Sequence, residues 1–484
     1  MSMSIKRNFM FSSILTVSNY IFPFIVYPYV ARVLGPTNVG ICNFVDSIVN
    51  YAMLLSLMGI TIIGTRNIAK AKSDPEKLNE TFTSLFILTA VFTLISTAAL
   101  VIVTYTVPKL FDYRQMLLIG LVKLWGNFLL IDWLYKGLED FRYITIRTIL
   151  VKIGFIAAVF IFIHVAKDYV TYFLLLCLMV AVNAAFNCFR AARIIKFKYS
   201  FAVIKGCFNS FIILGIYLLL NSMYTTFNVT YLGIACGDEE VGYYSTSTKI
   251  FKIILALYTA YSSVVLPRAS ALLSQGKKEE FKHLISQSIN GLVLFSIPIM
   301  LFSILFCPGI VYTIAGAEYS GSILPMIIVM PLLFIIGYEQ ILVIQILTPL
   351  ASDKVILLNS IIGASVGIIF NLLLVHQLAA VGSAIVWVIA EMAVLIASQY
   401  FVTKRTGLKF PFKLLFNNIV AYSPLVIASA ALILFTHIGD IPAMVIGMVM
   451  TAVYFFAIQS KYLKNPIYVA SIEKANGYLR KLKP

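Results

Sequence analysis

Four lysines stand inside otherwise apolar stretches: Lys123, Lys152, Lys249 and Lys252. On insertion scales a basic group at the bilayer centre costs about 2.5–3.5 kcal/mol. Such groups survive where they face water, pair with acids or bind an anion. Lys249 and Lys252 share one helical face, joined a turn earlier by Ser245. Arg32 closes the first apolar stretch, as an interfacial anchor or an anion ligand. Asn19, Asn43, Asn50, Asn221 and Asn228 carry amides of the kind that hydrogen-bond sugar hydroxyls. Together these residues describe a cationic, hydrogen-bonding lumen. Asp46, Glu339 and Glu391 lie in or near apolar stretches and are candidates for coupling to protons or cations. Arg66 and Arg268 end two stretches, as gates or anchors. Asp132 is nine residues from Lys123, on the opposite helical face, and reads as structure at the rim. There is no P-loop, no HExxH and no Ser/His/Asp arrangement, so no enzyme chemistry is expected. The six cysteines and four histidines are scattered singly, which supports neither a metal site nor a disulfide framework, and no cofactor is expected.

The elements that position these groups follow from composition. Of 484 residues, 61% are hydrophobic and only 12% charged, and mean hydropathy is +0.95. Soluble domains average about 45–50% apolar and about 25% charged. A water-soluble enzyme, a secreted scaffold and a disordered tail are excluded, which leaves an all-α polytopic membrane protein. Cutting at charge and Gly/Pro punctuation gives fourteen expected spans: 10–33, 40–63, 82–106, 115–135, 145–166, 169–189, 208–233, 242–266, 285–311, 323–348, 355–376, 380–402, 413–436 and 441–460. With both termini cytoplasmic, 29 Lys and Arg fall on the cytoplasmic side. Arg32, Lys109, Arg114 and Lys167 fall on the other, the asymmetry expected of a correctly counted chain. The net charge of +17 is therefore read as loop charge, not as a nucleic-acid surface. The opening stretch Phe9 to Val33 is too long for a signal-peptide core and reads as the first span.

An ungapped shift of 202 residues aligns Asn19 with Asn221, Arg66 with Arg268, and Gly35-Pro-Thr-Asn-Val-Gly40 with Gly237-Asp-Glu-Glu-Val-Gly242. Six spans separate the copies, so the halves share one orientation, a parallel repeat of the kind found in transporters. The expected organisation is an N-terminal lobe 1–206, a C-terminal lobe 207–410, and an appendage 411–484 carrying two further helices and a basic tail. Pro23 and Pro28 could kink the first span.

An ordered set of motifs resembles a known family. Arg32-Val-Leu-Gly-Pro-Thr-Asn-Val-Gly40, Gly59 and Arg66-Asn-Ile-Ala resemble the opening of the polysaccharide-biosynthesis flippases, the O-antigen and capsule repeat-unit transporters of the multidrug/oligosaccharidyl-lipid/polysaccharide superfamily. Asp132-Trp-Leu-Tyr-Lys-Gly-Leu-Glu-Asp-Phe-Arg142 looks like their motif after span 4. Gln345-Ile-Leu-Thr-Pro349, Asp353-Lys354, Asn371, Gly382 and Glu391 look like their stretch over spans 10–12. His376-Gln377 stands where many relatives carry a proline. The resemblance implies a V-shaped, two-lobe fold with alternating access. It implies an undecaprenyl-diphosphate-linked oligosaccharide as substrate, moved from the cytoplasmic to the periplasmic or outer leaflet of a bacterial inner membrane. The partners expected are that lipid-linked glycan, the bilayer, and polysaccharide polymerase or chain-length machinery. The competing expectations are a drug/cation antiporter of the same superfamily, a lipid-II-type flippase, and a membrane polymerase or ligase. The antiporter would want lumenal acids, and the polymerase or ligase would want a large extracytoplasmic loop.

Overall fold

The computed structural model describes residues 5–222, 226–350, 352–436, 438–469 and 472–473. Thr225, His437 and the basic residues Lys474, Arg480, Lys481 and Lys483 lie outside the described residues. Regular structure among the described residues is entirely helical. Hydrocarbon offers no partner to a backbone N–H or C=O, and a helix satisfies both within itself.

Eleven helices are long and apolar enough to cross a bilayer, or twelve if the bent pair Ala317–Val329 and Leu332–Leu347 is one span. Two of the eleven exceed a single crossing: Met10–Ala71 has 62 residues and Lys354–Thr406 has 53. A crossing needs roughly 20 residues. Both are broken inside. Gly35 has φ 73° and ψ 169° and is followed by Pro36, while Ala379 has φ 48° and ψ −126°. The expected spans 1 and 2 share the first stretch, and spans 11 and 12 share the second.

Local signals explain other boundaries. The helix Pro75–Thr106 starts where Asp74 accepts the N–H of Glu76 at 3.0 Å and of Lys77 at 3.3 Å, with proline at the first helical position. The N–H of Lys77, and then that of Glu76, hold the Asp74 carboxyl below the usual carboxylate range.

Contacts divide the chain into two compact units, residues 1–245 with 371–379, and residues 246–370 with 380–484. In the first, Phe82 stacks on Trp133 at 5.2 Å within a core that includes Ile63, Leu85, Tyr135 and Phe211. The helices Phe201–Ser222, which straddles residue 206, and Thr226–Ala235 pack on Ile5–Leu57 and belong to this unit. In the second, Lys278–Leu305 packs on Leu332–Gln340 and Phe412–Phe435, and Cys307–Ile314 packs on Asp440–Ile458. Residues 411–484 thus fall within the second unit.

The two GxxxVG turns meet within the first unit. Gly35 and Gly237 both adopt positive φ, 73° and 100°, a region open to glycine at little cost. A Cβ on Gly40 would lie 1.7 Å from the carbonyl oxygen of Asp238, and one on Gly242 would lie 2.1 Å from that of Pro36. The contact is reciprocal, backbone against backbone.

Candidate functional site

The first unit places Lys152 on the helix Phe141–Phe162, facing the start of the chain. Its Nζ donates to Asn19 Oδ1 at 2.6 Å and to Ser18 Oγ at 3.4 Å, and lies 5.3 Å from the Phe22 ring centre. Among the described residues no carboxylate pairs with it. Neutral acceptors and a ring orient the amine and leave its charge available to an anion.

Lys123 is different. Its Nζ contacts Asp46 Oδ1 at 2.5 Å and Asn50 Oδ1 at 3.3 Å, and Asn50 Nδ2 donates to Asp46 Oδ2 at 3.2 Å. Lys123 and Asp46, expected to act apart on substrate and coupling, neutralise each other. The reason is register: Asp46 on the first helix stands opposite Lys123 on Arg114–Leu129, which spacing along either helix cannot reveal.

Beside that triad lies a cavity of about 360 Å³, lined by Asn50, Thr61, Asn127, Asn221 and Ser222 among apolar neighbours. Its size falls in the range of small-ligand sites. Asn50 and Asn221, chosen from sequence, come together here. Asn127 was missed, although it follows Lys123 by four residues and so shares its face. Asn43 donates to Val39 O at 2.7 Å, a bond to its own helix. Asn228 is fully buried, accepting from Asn371 at 2.6 Å and donating to Tyr244 at 3.3 Å. The expected lumenal role of Asn228 therefore gives way to a structural one.

The motif over 132–142 forms an ion-pair strap. Asp132 accepts from Arg147 at 3.2 Å and from Asn187 at 3.0 Å; Glu139 accepts from Lys72 at 2.7 Å; Asp140 accepts from Arg190 at 2.5 Å. Arg147 is only 6% exposed. Removing one member of a buried pair strands the other charge. Asp132→Ala should cost about 3 kcal/mol of stability. The double change with Arg147→Met should recover most of it, read from thermal unfolding in detergent. Equal unfolding temperatures for wild type and Asp132→Ala would refute this role.

In the second unit Lys252 is exposed, with Nζ 5.6 Å from the Trp387 ring centre. Trp387 Nε1 donates to Glu391 Oε1 at 2.9 Å, and Glu391 is buried. Lys249 lies on the same helix, half-buried. Arg32 of the first unit is exposed, and so are Arg66 and Arg268 of the first and second units. No cluster of three His, Cys, Asp or Glu that could hold a metal occurs among the described residues.

Long apolar helices that carry lysines, asparagines and carboxyls define a polytopic membrane protein built to handle a polar cargo. Residues 5–273, more than half of the chain, match the family described as "Polysaccharide biosynthesis protein", and the chain belongs to that family. It is 26% identical over 412 residues to the "Putative O-antigen transporter" of Shigella dysenteriae, covering 81% of this chain and 98% of the relative. It is 24% identical over 351 residues to the protein of the same name from Escherichia coli strain K12, covering 71% and 84%. Among solved structures it is similar to "Lipid II flippase MurJ, inward closed conformation", with TM-score 0.74, 17% identity, and 95% and 99% of the two chains covered. That likeness is one of fold.

Proposed function

We propose that this protein is a flippase that carries undecaprenyl-diphosphate-linked oligosaccharide units from the cytoplasmic to the outer leaflet of a bacterial inner membrane. The observation that carries the reading is Lys152, an intramembrane amine held by Asn19 and Ser18 with no acid paired to it among the described residues. A bare diphosphate in hydrocarbon costs tens of kcal/mol by Born solvation. Lys152, Lys252, Lys249 and Arg32 would offset that cost, while Asn19, Asn50, Asn127 and Asn221 bind sugar hydroxyls. The names of the relatives point the same way. The Lys123–Asp46 pair speaks against the antiporter, because it leaves Asp46 no free charge for a cationic drug.

The chain in this reading crosses the membrane fourteen times, with breaks at Gly35 and Ala379 and both termini cytoplasmic. Lobes 1–206 and 207–410 alternate in access. Membrane potential supplies drive: each charge is worth about 2.3 kcal/mol per 100 mV, so export of two negative charges gains roughly 5 kcal/mol. Glu339 and Glu391 pass a proton or cation inward during the return step, and Arg66 and Arg268 act at the cytoplasmic ends. The products feed polymerase or chain-length machinery.

The test is complementation of a strain lacking the gene. Wild type should restore surface glycan. Lys152→Met with Lys252→Met, at equal membrane abundance, should reduce it at least tenfold and leave lipid-linked units in the inner leaflet. Undiminished surface glycan in that double variant would end the proposal for these lysines.

A further inference from the structure

A second polar feature lies on the far side of the helix that carries Lys152. Between Phe141–Phe162 and Tyr169–Ile194 opens a cleft of about 570 Å³, lined by Arg142, Tyr143, Arg147 and Arg190 among others. It continues into an apolar groove of about 380 Å³, and Leu150 and Phe186 line both. Gly154 lies on that groove, and a Cβ built on it meets nothing within 4 Å. Leu178, Met179 and Val182 form the facing wall. From Leu150 to Ala158 the groove follows eight residues of helix, about 12 Å. One leaflet of hydrocarbon is about 15 Å deep.

The polar end carries surplus positive charge. Its two carboxylates are engaged: Asp140 with Arg190 at 2.5 Å and with the N–H of Tyr143 at 3.3 Å, and Asp132 with Arg147 at 3.2 Å. Arg142 is exposed and joins no ion pair among the described residues. Arg147, buried and lining the cleft, leaves its Nε without a hydrogen-bond partner. A buried guanidinium N–H normally finds an acceptor. The unpaired guanidinium of Arg142, beside the paired ones of Arg147 and Arg190 at the head of a chain-wide apolar groove, matches an amphiphile with an anionic head.

We propose that this cleft binds one anionic glycerophospholipid of the leaflet on the basic-loop side. Its phosphate lies against the exposed Arg142 at the mouth of the cleft, and one acyl chain lies in the groove over Gly154. The site is separate from the asparagine-lined cavity and needs no assumption about the cargo. A lipid held here bridges two helices of the first unit and makes their packing depend on membrane composition.

The experiment is native mass spectrometry of the full-length protein in neutral detergent, titrated with phosphatidylglycerol or phosphatidylethanolamine. Wild type should take up its first phosphatidylglycerol at least fivefold more tightly than phosphatidylethanolamine. Arg142→Gln removes an exposed charge and should bring the two lipids to near parity, since one basic residue at an anionic surface is worth about fivefold. Gly154→Leu fills the groove and should weaken both lipids severalfold, while Gly154→Ala should weaken them less. Equal binding of the two lipids by wild type, or unchanged binding in Gly154→Leu, would overturn the proposal. So would competition by glycerol phosphate as strong as by the whole lipid, which would make this a simple phosphate site. Displacement by undecaprenyl diphosphate at lower concentration than phosphatidylglycerol would assign the cleft to the cargo instead.

Discussion

Gly40→Ala should nearly abolish function. The added methyl would sit 1.7 Å from the carbonyl oxygen of Asp238 and 2.9 Å from the backbone nitrogen of Gly242. Neither atom can swing aside as a side chain would, so a whole turn must move. Overpacking a tight site typically costs 1–3 kcal/mol, and a backbone obstacle puts this one at about 3 kcal/mol. We expect less than a tenth of wild-type surface glycan and a clearly lower unfolding temperature in detergent. Gly154→Ala is the matched control, because its methyl meets open space. In a helix it should be neutral or stabilising by up to about 1 kcal/mol. If Gly40→Ala and Gly154→Ala behave alike, the closeness of the two turns is not what the protein depends on.

The second large effect is expected at Lys123 and Asp46. Their side chains are 14% and 28% exposed and in direct contact. Losing one partner of a fully buried pair costs about 3–5 kcal/mol. Partial exposure brings the expected loss for Lys123→Met or Asp46→Asn to about 2 kcal/mol. The double variant should regain both membrane abundance and surface glycan, because a pair that neutralises itself has a mutual partner and needs no cargo. A double variant that is abundant yet makes no surface glycan would return Lys123 to the list of cargo ligands.

These two sites mark where sequence reading succeeds and where it stops. The GxxxVG match came from comparing the chain with itself, and glycine at both ends of each turn is a local property. Composition and loop charge likewise made the helical class and most span positions legible. Pairing across helices was not legible. Nothing near Lys123 in sequence announces Asp46, 77 residues away. Helical phase keeps Asp132 from Lys123, but its partner Arg147 lies 15 residues on, in the next helix Phe141–Phe162, beyond what phase along one helix can show. Asn228 was misjudged for a related reason. An amide in an apolar stretch reads the same whether it faces water or, as here, a second buried amide on Asn371. Asn127 shows the opposite error, a face-sharing neighbour of Lys123 overlooked because the lysine drew the attention.

The turn at Gly35 to Gly40 sets a limit on how the chain can vary. The first two crossings follow each other with almost no connecting segment, and the six residues between them are gripped by Asp238 and Gly242. Reach does not set the length of that connection; contact does. At this corner there is no slack, so an inserted residue would wedge the two turns apart as surely as an added methyl.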